Sequence, residues 1–163
     1  MAKYFAKLNS EVETISLSNG ENISAYKVTD IKLAHDTDTS ESVKLFHSND
    51  ADYVEYFMEV ENNPKQRSAF VGGYYISSVD KFTDTKILNS WVVSNIDYLY
   101  EAPSPWPRLD DDFVAIHEEG NWVLSWDEEN IRLTRLKTDE NDLVIDPKIT
   151  QLYDPVTKEW SDL

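Results

Sequence analysis

The chain of 163 residues contains no cysteine, which excludes disulfide bonds, thiolate metal ligands and a cysteine nucleophile. It also has no apolar run approaching the roughly 20 residues of a membrane-spanning helix. Its first eight residues alternate apolar with polar side chains and lack the apolar block of a signal peptide. We therefore expect a protein that is made and assembled in a cytoplasm and does not act in a membrane.

Basic residues are few: 15 Lys and Arg stand against 31 Asp and Glu, for a net charge of −16. Nucleic-acid binding needs clustered Lys and Arg to neutralise phosphates, and binding to an anionic membrane surface needs similar basic clusters. The composition therefore argues against both partners. The excess of acid is typical of a protein kept soluble by its charge, although cation binding or docking on a basic partner is also compatible with it.

Length and composition predict one domain with a mainly β fold. Large rings bury much area and suit strands, and 12% of the residues are aromatic. We expect an antiparallel sheet or sandwich built from successive hairpins, with one short helix and a Pro-rich extended arm. The main domain is predicted over residues 1–107, and a C-terminal hairpin segment, packed on the same domain, over 108–163.

The N-terminal third reads as hairpins. Residues 4–9 and 12–17 alternate apolar with polar around Ser10-Glu11, which predicts a first hairpin. Asn19-Gly20 is a strong turn signal, and residues 23–34 read as one or two strands. Residues 36–42 are expected to form a polar loop.

Two further segments before residue 80 have a defined pattern. Residues 52–62 place apolar side chains at helical spacing and predict the helix, although alternation from Tyr53 to Phe57 also permits a strand. Residues 68–77 are apolar around Gly72-Gly73, which predicts a buried strand with a bulge or a close backbone approach.

The C-terminal half repeats a short hairpin with rings on its arms. Polar turns are predicted at Ser94-Asn95, at residues 127–130 and at residues 154–157, where Pro follows Asp. Between them, Pro103, Pro105 and Pro107 impose an extended, polyproline-like conformation and remove backbone donors. This stretch is predicted to be a stiff connector.

No catalytic residue, cofactor or metal site emerges from the motifs. His117-Glu118 begins like a zinc-protease helix, but Asn121 stands where the second His is required. Residues 36–40 have the oxygen spacing of a calcium loop, but the glycine that should follow is Glu41. A solvated turn is therefore the simpler interpretation of residues 36–40. Asp110 to Asp112 could hold a cation loosely.

Aromatic rings and prolines are the remaining functional candidates. Most rings are expected in the core, but Trp106 lies between two prolines and is hard to bury in a regular sheet, so it resembles an anchor for a partner. The predicted partner-binding residues are Trp91, Tyr98, Tyr100, Pro103, Pro105, Trp106 and Pro107.

Several blocks resemble one family in their order along the chain. The opening Met1-Ala2-Lys3-Tyr4-Phe5-Ala6-Lys7-Leu8, the segment 67–75 and the stretch from Ser90-Trp91 to Glu101-Ala102-Pro103 are similar to small virion proteins of marine tailed phages, especially cyanophages. Trp126-Asp127-Glu128 resembles a turn found after these blocks. A weaker similarity links the chain to tail-fibre assembly proteins. Tyr100 departs from the pattern, because Trp is usual there.

The resemblance implies a non-catalytic structural or accessory component of a tailed-phage virion, made in the host cytoplasm. Its partners would be capsid, tail or fibre proteins, with a homo-oligomer as a further option. Two alternatives stay open. Exposed rings such as Trp106 and Trp122 would suit a carbohydrate-binding adhesin that contacts a host-surface glycan, and a tail-fibre assembly chaperone would carry similar aromatic and proline blocks.

Overall fold

The computed structural model describes residues 2–47, 51–56 and 68–163, and the chain forms two compact units. The first unit comprises Met1–Ile87 and Val92–Tyr100, and the second comprises Leu88–Trp91 and Glu101–Leu163. Residues 101–107, which the sequence placed at the end of the first domain, therefore lie in the second unit. The prediction of a mainly β fold with antiparallel sheets is confirmed.

The first unit is built on one five-stranded sheet. Its strands are β1 (Lys3–Ser16), β2 (Asn22–Ala34), β3 (Tyr53–Tyr56), β4 (Tyr74–Ile76) and β5 (Lys81–Phe82). Their spatial order is β3-β1-β2-β4-β5, and all neighbours are antiparallel. Helix α1 (Ser40–His47) follows β2, and β6 (Val92–Val93) pairs with β7 (Tyr100–Glu101) in a separate two-stranded sheet.

The first hairpin is longer than its pattern suggested. The predicted turn at Ser10-Glu11 is wrong, because β1 runs through it. Leu8 pairs with Val28 and Val12 with Tyr26, so three residues of β1 oppose one residue of β2. The polar interruption is therefore a bulge, which keeps both halves of β1 paired. The Asn19-Gly20 turn is confirmed: the Gly20 amide donates to the Leu17 carbonyl at 2.9 Å, with φ of +86° at Gly20.

Both faces of this sheet are covered, so neighbouring side chains of β1 are both buried. Phe5 packs with Val43 of α1 on one face. Ala6 packs with Val28 and Phe82 on the other. Alternation alone would have assigned only one of these faces to the core.

Two local predictions in this unit are wrong. Residues 53–56 form β3, paired with β1, so the helix is wrong there and the strand that the alternation also permitted is confirmed. The part of the predicted helix from 57 to 62 lies outside the described residues. Residues 36–42 were predicted to be loop, yet α1 begins at Ser40. Thr39 supplies the start signal, because its Oγ1 accepts from the Ser42 amide at 3.3 Å while its amide donates to Ser42 Oγ at 3.0 Å.

The segment around Gly72-Gly73 is only partly a strand. Phe70 and Val71 are exposed, and the strand begins at Tyr74. The predicted close backbone approach is confirmed at Gly73, where a Cβ atom would lie 2.7 Å from the Thr83 carbonyl oxygen.

The second unit is a four-stranded antiparallel sheet with one helix. Its strands are β8 (Trp122–Asp127), β9 (Arg132–Lys137), β10 (Thr150–Asp154) and β11 (Glu159–Asp162), in spatial order β11-β10-β9-β8. The turns predicted at residues 127–130 and 154–157 connect β8 to β9 and β10 to β11, so both are confirmed. Ser94-Asn95 likewise begins the turn between β6 and β7.

The proline-rich stretch does not form an extended arm. The Trp106 amide donates to the Pro103 carbonyl at 3.1 Å, so residues 103–106 make a turn. Helix α2 (Asp111–His117) follows, which the sequence did not predict. Asp110 caps it by accepting from the Phe113 amide at 2.9 Å, and Asp111 and Asp112 occupy its first turn, where the helix dipole favours negative charge. The three aspartates thus have a structural role.

Candidate functional site

The seven predicted partner-binding residues are divided between the two units. Tyr98 and Tyr100 belong to the first unit. Five belong to the second: Trp91, Pro103, Pro105, Trp106 and Pro107. Pro105 is exposed at the 103–106 turn, whereas the other six are half-buried. Their role in binding a partner stays a prediction, and the structure does not present them as one surface within either unit.

Trp106 is packed against other rings of its own unit. Its ring centroid lies 5.9 Å from that of Trp126, at an interplanar angle of 88°. Trp91 contacts the same ring at 6.2 Å and 89°. These edge-to-face arrangements are the favoured geometry of aromatic pairs. Trp106 is therefore a half-buried ring that packs within the second unit, and only the part of its surface left exposed is open to a partner.

A carboxylate holds this group of indoles in place. Glu128 accepts from the Ser90 amide at 2.7 Å, from the Ser90 hydroxyl at 2.7 Å and from Trp126 Nε1 at 2.9 Å. The hydrogen bonds from Ser90 lower the pKa of Glu128. Glu128 belongs to the Trp-Asp-Glu segment that the resemblance singled out in the sequence. Its hydrogen bonds connect Ser90 to the end of β8.

Tyr100 belongs to a separate polar group in the first unit. Its amide donates to Asp84 Oδ1 at 2.9 Å, and burial raises the pKa of its phenol. Tyr74 donates its hydroxyl to Glu13 Oε2 at 2.6 Å, a bond that raises the pKa of Tyr74 to about 12. Both phenols stay protonated at neutral pH. The hydrogen bonds from the Tyr100 amide and the Tyr74 hydroxyl position these two residues without a ligand.

A cleft beside α1 is a surface that the sequence reasoning missed. It has a volume of about 580 Å³. Its apolar walls include Leu33, which is 63% exposed, and Phe46, which is 87% exposed. Polar side chains, among them His35 and Asp38, line the same cleft. In the sequence, the apolar pair Leu45-Phe46 could have indicated this cleft, but only once α1 is recognised as a helix.

A second missed arrangement lies on the sheet of the second unit, and we call it the indole–cation cluster: Trp122, Arg135, Lys137 and Trp160. The guanidinium carbon of Arg135 lies 4.7 Å from the ring centroid of Trp122 and 4.5 Å from that of Trp160. Lys137 Nζ lies 5.0 Å from the Trp122 centroid. Such contacts are favourable cation–π geometries.

The strand register explains how these four residues meet. Trp122 pairs with Lys137 across β8 and β9, and Arg135, two residues away, shares that face of the sheet. On β10, Gln151 pairs with Arg135 and accepts two hydrogen bonds from it, at 2.9 Å from Nε and 2.7 Å from Nη2. The sequence could have indicated the alternation within each strand, but not which strands are neighbours.

His117 ends α2 next to this cluster. Its Nδ1 accepts a hydrogen bond from Trp160 Nε1 at 3.0 Å, so its remaining proton belongs on Nε2. Burial, and secondly the positive charge of Arg135, lower the pKa of His117. The imidazole also packs on Phe113 and Tyr153, at 4.1 and 5.6 Å between centroids. A neutral packed histidine of this kind stabilises the unit.

Metal ligation and membrane crossing concern residues 2–47, 51–56 and 68–163, the part of the chain that the structure describes. In that part of the chain no three His, Asp or Glu side chains are arranged to hold a metal ion. No helix there has the length and apolarity to cross a membrane. His35 Nδ1 contacts Asp36 Oδ1 at 2.7 Å.

The chain matches no protein-family model, no curated protein and no solved structure.

Proposed function

We propose that this chain is a non-catalytic structural or accessory component of a tailed-phage virion, which acts through contacts with other virion proteins. The proposal combines the resemblance of the sequence blocks with one structural feature, the cleft beside α1. In this proposal, an apolar segment of a neighbouring virion protein binds in the cleft.

The exposure of Phe46 carries this proposal. A phenylalanine that is 87% exposed leaves nearly its whole ring in water, at a cost that grows with the apolar area exposed. Leu33 is also mostly exposed and lines the same cleft. Clustered apolar side chains on a surface mark interaction sites far more specifically than scattered ones do.

The arrangement of polar groups around the cleft favours a protein as its occupant. His35, Asp36, Asp38 and Ser42 line it together with the apolar side chains. Apolar contacts combined with hydrogen-bonding groups are the usual anatomy of a protein interface. The net charge of −16 would keep a protein made in many copies dissolved before it assembles.

The location can be tested on purified particles of the phage that encodes the chain. We expect mass spectrometry to detect the protein in stoichiometric amounts. Detection during infection but not in finished particles would favour an assembly chaperone instead. Absence from both the particle and the assembly intermediates would refute the proposal.

The cleft can be tested separately with matched variants. Phe46→Ser should abolish incorporation into particles while the purified protein keeps its circular dichroism spectrum, because Phe46 contributes little buried area. Ile87→Ser is the control, since Ile87 is 83% exposed and does not line the cleft. Equal incorporation of both variants would remove the cleft from the proposal.

A further inference from the structure

Within the described part of the chain, the two cations of the indole–cation cluster have no carboxylate partner. Arg135 donates to the neutral amide of Gln151, and Lys137 donates to the Gly120 carbonyl at 3.1 Å. Among the residues that the structure describes, neither side chain forms an ion pair. The chain has 31 carboxylates for 15 Lys and Arg, so the acid needed to pair them is abundant.

The Arg135 guanidinium is held in a fixed orientation. Its two contacts with Gln151 and its position over the rings of Trp122 and Trp160 restrain the side chain at both its edge and its face. A guanidinium has five N–H groups, and these bonds use the Nε proton and one Nη2 proton. Three N–H groups remain, in the planar geometry that matches a carboxylate.

Polar groups continue in a row from Arg135 across the sheet. Gln151 Nε2 donates to Asp162 Oδ1 at 2.9 Å, so a guanidinium, an amide and a carboxylate lie side by side on β9, β10 and β11. Asp162 is exposed, and the Trp122 and Trp160 rings are half-buried. Planar hydrogen-bonding groups beside aromatic rings suit a ligand that has both hydroxyl groups and apolar C–H surface.

We infer that the indole–cation cluster is a binding site for a carboxylated saccharide, such as a uronic-acid residue of a polymer. The sugar carboxylate pairs with Arg135 and Lys137, the hydroxyl groups bond to Gln151 and Asp162, and the C–H surface of the ring packs against the exposed parts of the indoles. A saccharide accounts for the aromatic and the neutral polar groups together, whereas an acidic peptide accounts chiefly for the cations. The inference does not depend on the cleft beside α1.

The test uses the wild-type protein first, at about 0.15 M salt, where screening limits long-range repulsion by the acidic chain. The probe is an oligogalacturonate, compared with its methyl ester, which keeps the sugar ring and removes the charge. Each of the five Trp residues gives its own indole N–H signal in a two-dimensional NMR spectrum. We expect the signals of Trp122 and Trp160 to shift, while those of Trp91, Trp106 and Trp126 stay in place.

The methyl ester should bind at least about tenfold more weakly, because a hydrogen bond to a charged group contributes more than a neutral one. Arg135→Gln should weaken the binding of the oligogalacturonate acid by a similar factor. Arg132→Gln is the matched control: it removes one positive charge from the same strand, at a position whose guanidinium already pairs with Asp127 at 2.8 Å. It should bind as the wild type does.

Three results would overturn the inference. The first is no shift at millimolar oligogalacturonate, and the second is equal binding of the acid and its ester by the wild type. The third is equal binding of poly-glutamate, which would assign the cluster to acidic peptides. Because none of these three comparisons needs a variant, the test stands even if Arg135→Gln fails to fold. Phe46→Ser should retain binding, which separates this site from the proposed virion contact.

Discussion

Gly73→Ala gives the most direct test of how tightly the first unit is packed. An added Cβ would lie 2.7 Å from the Thr83 carbonyl oxygen, 3.1 Å from that of Asp84 and 3.2 Å from that of Phe70. All three are backbone atoms, so no side chain can rotate away. Gly73 cannot retreat easily either, because its amide donates to Phe70 at 2.9 Å and its carbonyl accepts from Val28 at 2.8 Å.

Overpacking of this kind costs about 1–3 kcal/mol. We therefore expect the free energy of unfolding, measured by urea titration with far-ultraviolet circular dichroism, to fall by about that amount. Gly20→Asn is the control, since nothing lies within 4 Å of a Cβ there and Asn tolerates the positive φ of this turn. The control should stay within about 0.5 kcal/mol of the wild type. A Gly73→Ala variant as stable as the control would refute the close approach of these backbones.

Three further predictions concern individual hydrogen bonds. All five Trp residues lie in the second unit, so their fluorescence reports its unfolding. The folded state lowers the pKa of His117. The neutral His117 therefore stabilises the fold fully above the ordinary histidine pKa of about 6.5, and this stabilisation declines as the pH falls through the lowered value. The urea midpoint should drop between about pH 7.5 and about pH 5.5, and His117→Gln should reduce that drop. Glu128→Gln should lower the midpoint at neutral pH and change the emission of Trp126, and an unchanged spectrum would contradict the role of Glu128. Tyr74→Phe should cost about 1 kcal/mol by circular dichroism, through loss of its bond to Glu13; an unchanged free energy would show that water replaces the bond.

Turns and hairpins were the features that local sequence predicted best. Asn19-Gly20 and residues 127–130 and 154–157 connect strands as expected, because turn residues act on the few backbone angles next to them. The interruption at Ser10-Glu11 was misread for the same local reason. A turn and a bulge have similar polar residues, and only pairing with the full length of β2 distinguishes them.

Both helices carried readable signals that were assigned to other features. Thr39 and Ser42 bracket the start of α1, and Asp110 caps α2. Yet the first segment was interpreted as loop, and the second as part of a stiff connector in which a cation could be held loosely. Residues 53–56 were predicted to be helical but form a strand, because pairing with β1 outweighed a helical spacing over so short a segment.

For the candidate sites too, the sequence showed the individual residues, whereas the tertiary structure showed which of them lie together. From the sequence, Trp122 and Trp160 were only two of several rings, and Arg135 attracted no attention, because the three residues lie on three different strands whose order in the sheet the sequence does not show. Their juxtaposition depends on the strand order β11-β10-β9-β8. Conversely, Trp106 looked free in the sequence, and its contact with Trp126 arises from the turn at residues 103–106.

The sequence by itself determined the class of fold, most of the hairpin turns, and an acidic composition without cysteine chemistry. These follow from backbone preferences and charge counts, which need no knowledge of distant residues. Tertiary structure decided which face of each strand is buried, which strands are neighbours, and which side chains share a surface. Those outcomes depend on contacts between residues far apart along the chain, and both the cleft beside α1 and the indole–cation cluster exist only because such contacts form.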